Sequence, residues 1–111
     1  MQDDEKLRQQ IADIAVRYIR RTQGELVQLR EMLAAIRAGD VDAQKQLERL
    51  AHKIHGSGAM FGFDTISERA HEIERLSGSR QSDSETLTKI EQALLGLEAE
   101  VANVGKQQGN T

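Results

Sequence analysis

The sequence has no cysteine, no proline and no tryptophan, and its only aromatic residues are one tyrosine and two phenylalanines. Without cysteine there are no disulfides, thiolate zinc sites or nucleophilic thiols, which fits a reducing compartment. Few aromatic and β-branched residues disfavour β-sheets, and the lack of proline removes a strong helix breaker. The remaining composition is dominated by Ala, Leu, Glu, Gln, Arg and Lys, which favour helices. The sequence therefore predicts an all-α protein.

A strong charge of either sign and long apolar runs are also missing. The formal net charge is −3, so the broad positive field that attracts nucleic acid is absent. No segment approaches the roughly 18 uninterrupted apolar residues of a membrane span, and the acidic start MQDDEKLRQQ does not resemble a targeting segment. We expect a cytoplasmic protein that binds neither nucleic acid nor membranes. Its 111 residues predict a single domain, 1–111, with a core over about 10–104 and a polar tail over 105–111.

Apolar residues at spacings of three and four predict five helices. The first runs from about Asp4 to Thr22, and Gly24 is expected to interrupt or bend the chain before the second, which ends at Gly39. The third begins near Asp42 and enters the glycine-rich stretch 56–62. The fourth spans about 64–77, the polar linker SGSRQSDS follows it, and the fifth begins at 82–84 and ends near 104. The predicted architecture is an antiparallel four-helix bundle with an additional N-terminal helix packed across one end.

The third helix carries an exposed histidine beside small residues. At about 100° per residue, His52 lies roughly 140° from the apolar stripe and faces water. Gly56 and Ala59 share its side, and His55 and Glu48 flank it. A helical glycine costs about 1 kcal/mol relative to alanine, and Gly56 has no packing reason to be there. Either the helix ends at Gly56, or a second macromolecule brings its backbone close to His52.

Several chemistries are compatible with an exposed imidazole. A neutral ring is a nucleophile, because free imidazole titrates near pH 6.5. A serine-type triad is disfavoured, because Ser57 points away from His52. Metal binding by His52, His55 and Glu48, or by the Glu68-x-x-His71 pair, is the competing interpretation. Because a di-metal bundle uses two Glu-x-x-His motifs and this chain has one, we predict no metal site. The neighbouring charges Glu72, Glu74 and Arg75 are interpreted as solvated helix residues.

The stretch AHKIHGSGAMFG, residues 51–62, resembles the signature of histidine-containing phosphotransfer (HPt) domains, His-x-Leu-Lys-Gly-small-small-x-x-apolar-Gly. The resemblance covers about residues 10–104, and the family fold is a four-helix bundle. It implies that His52 is the phosphoacceptor, that Gly56 leaves clearance for an incoming receiver domain, and that Ile54 is the buried residue between them. We expect the exposed Ala59 to lie on the same docking surface.

One position departs from the family pattern. The family usually has Lys three residues after the phosphoacceptor, where its ammonium can pair with the phosphoryl group, and this chain has His55. Nearby cations that could substitute are Lys53, Arg49 and Lys45. The chain also differs from the dimerisation domains of sensor kinases, which typically carry an acidic residue after the histidine and a proline a few positions later.

The resemblance implies a phosphocarrier in a two-component phosphorelay. Its expected partners are response-regulator receiver domains, which would supply Mg²⁺, and a hybrid sensor kinase. No Gly-rich phosphate loop is present, so we expect no autonomous kinase activity and no cofactor on this chain. A monomer is expected. The alternatives are a helical protein-interaction module without phosphotransfer and a metal-binding helical bundle.

Overall fold

The computed structural model describes residues 2–79 and 83–109, which form four α-helices and contain no strand. The helices are α1 (Gln2–Arg37), α2 (Ala43–Met60), α3 (Asp64–Ser77) and α4 (Ser84–Gly109). The all-α prediction is confirmed. Residues 80–82 of the predicted linker and 110–111 of the predicted tail lie outside the described residues, and α4 includes residues 105–109 of that tail.

The predicted break at Gly24 is wrong, and so is the separate N-terminal helix. Residues 4–22 belong to α1, which is 36 residues long and passes through Gly24 without a break. The reason is a stripe of buried side chains that runs past Gly24 without a phase change: Tyr18, Thr22, Leu26, Leu29 and Leu33. Burying these side chains against the other helices outweighs the cost of about 1 kcal/mol for one exposed glycine.

Contrary to the prediction, the N-terminal end of α1 does not pack across one end of the bundle. Leu7, Ile11 and Ile14 follow helical spacing, yet they are 55%, 59% and 47% exposed. The buried core begins at Tyr18. At 1.5 Å per residue α1 is about 54 Å long, twice the length of the 18-residue α2, so its first turns extend beyond the other helices.

The four helices form a ring of neighbours. Each packs against the helices before and after it in the chain, and α1 packs against α4. Short connections between consecutive helices make these neighbours antiparallel, as in the predicted bundle. The apolar stripes meet in one core, whose largest fully buried side chains include Leu29, Leu47, Ile54, Ile73 and Leu97. No described helix combines the length and the hydropathy needed to cross a bilayer.

A network of ion pairs joins α1 to α4. Arg30 forms a two-pronged contact with Glu98, at 3.0 Å from Nε and 2.7 Å from Nη2, and its Nη1 lies 2.9 Å from Glu91. Arg37 contacts the other Glu91 oxygen at 3.3 Å. The hydrogen bond from Arg30 lowers the pKa of Glu91, and burial opposes that shift only in part. The network fixes the register of two helices that lie at opposite ends of the sequence.

Helices α2 and α3 approach each other closely at Gly58, six residues after His52. A side chain at Gly58 would place its Cβ 3.0 Å from the backbone nitrogen of Ser67, so any other residue there would crowd the backbone of α3 and require it to shift. The Ser67 hydroxyl donates a hydrogen bond of 2.7 Å to the backbone oxygen of His55. Gly62, at φ 81°, reverses the chain between the two helices. Gly58 therefore has a packing role, and the contact brings the side chains of α3 within reach of those on α2.

Candidate functional site

His52 projects from the middle of α2 into solvent. Its side chain is 71% exposed, while Ile54, two residues on, is fully buried, as predicted. The interpretation that the helix ends at Gly56 is wrong, because α2 continues through Gly56 to Met60. A Cβ at Gly56 would meet no atom of the described residues within 4 Å. The bare surface beside His52 is therefore part of a regular helix, and packing within the protein does not account for it.

Glu74 of α3 holds the inner nitrogen of His52. Its Oε2 lies 2.7 Å from His52 Nδ1, and the carboxylate is 25% exposed. Burial raises the pKa of Glu74, but the hydrogen bonds and charges of His52 and His55 together lower it below its ordinary value. An ionised carboxylate only accepts hydrogen bonds, so Nδ1 carries the ring hydrogen. The lone pair of the neutral ring then lies on Nε2, which no described residue hydrogen-bonds.

The same carboxylate also binds the second histidine. His55 Nδ1 lies 3.3 Å from Glu74 Oε1, and the His55 ring is one-third exposed. The ring centroids of His52 and His55 are 6.3 Å apart, and the two rings are oriented edge to face. The ring of His71 lies 4.5 Å from that of His55. His55 therefore sits inside a cluster on α2 and α3 and is directed toward Glu74.

The solvated role predicted for Glu74 is wrong. Sequence periodicity could not reveal its partners, because His52 is 22 residues away on another helix. Its two neighbours behave as predicted, since Glu72 and Arg75 are exposed and pair with each other at 2.6 Å. The only available signal was that Glu74 lies one residue from the buried Ile73, at the edge of the apolar stripe of α3.

The three predicted cations occupy different environments. Lys53 Nζ lies 3.2 Å from Oε2 of Glu25, a buried carboxylate on α1 that has no hydrogen-bond partner among the described residues. Lys53 is therefore directed toward α1. Lys45 and Arg49 are exposed and lie two turns and one turn before His52 on the same side of α2. Neither forms an ion pair within the described residues. Ala59 is exposed on that side as well.

The other candidate chemistries gather fewer of their predicted residues. Ser57 Oγ lies 3.1 Å from the Tyr18 hydroxyl, so it faces α1 and cannot complete a triad with His52. The carboxylate of Glu48 lies against Gly78 at the end of α3. Of the residues considered as metal ligands, His52 and His55 come together, and the carboxylate between them is Glu74.

Comparison with known proteins agrees with the resemblance seen in residues 51–62. The family model described as "Hpt domain" matches residues 5–104. Searches of curated proteins and of solved structures found no match. The matched segment includes the exposed histidine, the helical glycine beside it, the whole of α2 and α3, and most of α1 and α4. Because the match spans about nine-tenths of the sequence, the chain belongs to the Hpt domain family.

Proposed function

We propose that this protein carries a phosphoryl group on Nε2 of His52 and relays it between aspartates of receiver domains. Hpt domains are phosphocarrier modules that act with receiver domains in two-component phosphorelays. The observation that carries the proposal is the contact of 2.7 Å between His52 Nδ1 and Glu74. It fixes the tautomer in which the exposed nitrogen is the nucleophile.

The chemistry follows from that tautomer. The Nε2 lone pair attacks the phosphorus of an aspartyl phosphate on the receiver, and the N–P bond forms as the P–O bond to the aspartate breaks. Nδ1 keeps its hydrogen, so the phosphorylated ring is a cation. The Glu74 carboxylate is already in place to stabilise that charge as it develops. Transfer to a second receiver reverses these steps. We assign Mg²⁺ to the receiver and no cofactor or kinase activity to this chain.

The surroundings of His52 support docking of a second backbone. Gly56 and Ala59 leave the surface low on the side that His52 shares, and Lys45 and Arg49 extend from the preceding turns. Because both cations are exposed, each is expected to contribute about 1 kcal/mol or less to holding a phosphoryl group. Lys53 is the weakest of the three candidates for this role, since it pairs with Glu25.

The acceptor is tested by labelling. A receiver carrying radioactive phosphate is mixed with wild-type protein, with His52→Gln and with the control His55→Gln. We expect label on the wild type and on His55→Gln and none on His52→Gln, and the bound label should be acid-labile and base-stable. Full labelling of His52→Gln would refute the assignment. A wild type that binds the receiver but takes up no label would instead identify an interaction module.

The positioning role of Glu74 is tested by Glu74→Gln, with Glu72→Gln as the matched control. An amide still accepts a hydrogen bond but carries no charge, so the variant loses about 1 kcal/mol of charge-assisted bonding and transfers roughly 5–10-fold more slowly. Imidazole ¹⁵N shifts at a pH where the rings are neutral should show less of the Nδ1–H tautomer of His52. An unchanged tautomer population, or an equal effect of Glu72→Gln, would contradict this role.

A further inference from the structure

Three metal-ligating side chains converge on one point between α2 and α3. His52, His55 and Glu74 each place one ligand atom within 4.8 Å of the other two. Two imidazole nitrogens and one carboxylate oxygen form a donor set that Zn²⁺ accepts, with its fourth position left to water. We propose that His52, His55 and Glu74 bind a zinc ion, and that zinc and the phosphoryl group are alternative ligands of His52.

The present distances are close to those that zinc needs. With metal–ligand bonds of about 2.0–2.2 Å, neighbouring ligand atoms in a tetrahedral shell lie about 3.3–3.6 Å apart. In the structure, His52 Nδ1 lies 2.7 Å from one oxygen of the Glu74 carboxylate, and His55 Nδ1 lies 3.3 Å from the other. Two neutral imidazoles and one carboxylate also leave a net charge of −1 to meet the dication. Because the three ligand atoms lie within 4.8 Å of one another, side-chain rotation has to bring them closer to complete the shell.

The backbone beneath these ligands is held firmly. His52 and His55 lie one turn apart on α2, so their side chains point to the same side. The Ser67 hydroxyl bonds the backbone oxygen of His55, and Gly58 lets the two helices approach closely at this level. The site is therefore built on two packed helices, a more precise support than a loop.

Zinc binding has a chemical consequence for His52, and this step rests on the proposed function. A neutral imidazole that coordinates a metal through Nδ1 carries its remaining hydrogen on Nε2. Nε2 then has no lone pair with which to attack phosphorus. An ion in this site therefore blocks phosphoryl uptake without covering Nε2. The site would make the relay sensitive to free zinc.

Binding is tested first by calorimetry with zinc chloride in a buffer that does not chelate metals, with no receiver present. We expect one equivalent to bind the wild type, and His55→Gln and Glu74→Gln to bind at least about tenfold more weakly, since even loss of an outer-shell partner costs that much. His71→Gln and Glu72→Gln are the matched controls and should bind like the wild type. All variants are checked for helicity by circular dichroism. The proposal is overturned if the wild type binds no zinc or if the controls lose binding equally.

The blocking step is tested by phosphoryl uptake with and without zinc. At free zinc about ten times the measured Kd, roughly nine-tenths of the sites are filled, so wild-type uptake should slow about tenfold. His55→Gln controls for zinc acting on the receiver: a site that binds about tenfold more weakly is at most half filled at this concentration, so its uptake should slow about twofold or less. An unchanged wild-type rate would overturn the blocking step. Failure of the wild type to take up label in zinc-free buffer would contradict the phosphoacceptor role, and calorimetry would still decide the zinc site.

Discussion

Gly56 and Gly58 lie two residues apart in α2, and the same substitution should change stability in opposite directions. At Gly56 an added methyl group meets none of the residues that the structure describes within 4 Å, so Gly56→Ala gains the helix propensity of alanine, about 1 kcal/mol. At Gly58 the new Cβ would lie 3.0 Å and 3.2 Å from the backbone of Ser67 and 3.3 Å from the backbone oxygen of Phe63. Overpacking of this kind costs about 1–3 kcal/mol. Because alanine regains about 1 kcal/mol of helix propensity, Gly58→Ala should lower the free energy of unfolding by up to about 2 kcal/mol.

Thermal unfolding measures both changes. A gain of about 1 kcal/mol raises the midpoint of a domain of this size by roughly 4–6 °C, so Gly56→Ala should unfold later than the wild type. Gly58→Ala should unfold at or below the wild-type midpoint. Equal increases in the two variants would refute the close approach of α2 and α3. A decrease in Gly56→Ala would refute a helix that continues through that residue.

The functional arm uses a longer side chain at the same place. Gly56→Gln should keep the fold and slow phosphoryl transfer from a receiver sharply, because the side chain fills the clearance beside His52. Ala99→Gln is the control, since Ala99 is exposed on α4, a helix that does not pack against α2. Transfer at the wild-type rate in Gly56→Gln would show that the receiver does not need this space.

Three further predictions concern stability. Gly24→Ala should raise the thermal midpoint by about 5 °C, because Gly24 is an exposed position inside α1, whereas Gly39→Ala should lower it, because Gly39 has φ 96°. Because the pKa of Glu91 is lowered, its stabilising effect on the fold is complete above the ordinary glutamate pKa of about 4.3 and is lost as the pH falls through the folded-state pKa. When urea unfolding is measured from pH 7 to pH 3, Glu91→Gln should therefore lose less free energy of unfolding than the wild type. Lys53→Met should lower the free energy of unfolding by roughly 1 kcal/mol, because buried Glu25 loses its cation, and should leave the rate of phosphoryl transfer unchanged. Slower phosphoryl transfer at unchanged stability would mean that Lys53 contacts the phosphoryl group instead.

Apolar periodicity predicts the structure correctly within α2, whose ends are also marked by turn residues in the sequence. Leu47, Ala51 and Ile54 form the buried stripe of α2, and the predicted position of His52, away from that stripe and in solvent, is confirmed. The predicted break at Gly24 is wrong because burial of an apolar stripe that continues on both sides outweighs the low helix propensity of one glycine. The predicted packing of the N-terminal helix across one end of the bundle is also wrong, because helical spacing identifies an apolar face, here Leu7, Ile11 and Ile14, but not whether another helix reaches it.

Contacts between helices were the part that the sequence could not supply. Whether a surface carboxylate such as Glu74 is solvated or holds a histidine depends on the rotation of α3 against α2. Gly58 makes one of the contacts between these helices, since a Cβ there would lie 3.0 Å from the backbone nitrogen of Ser67. Lys53 illustrates the same limit, because its pairing with Glu25 depends on how α1 lies against α2.

The overhang of α1 divides one uninterrupted helix into two regimes of amide hydrogen exchange. Between residues 3 and 14 every side chain except Ala12 is exposed, so the helical hydrogen bonds there depend on local helix–coil equilibrium, which is marginal for segments shorter than about 12–15 residues. From Tyr18 onward, opening the same helix requires the core to come apart. Protection should rise steeply along α1, and Leu29→Ala should reduce it only in the second part. The cooperative unit of this protein is therefore shorter than its longest helix.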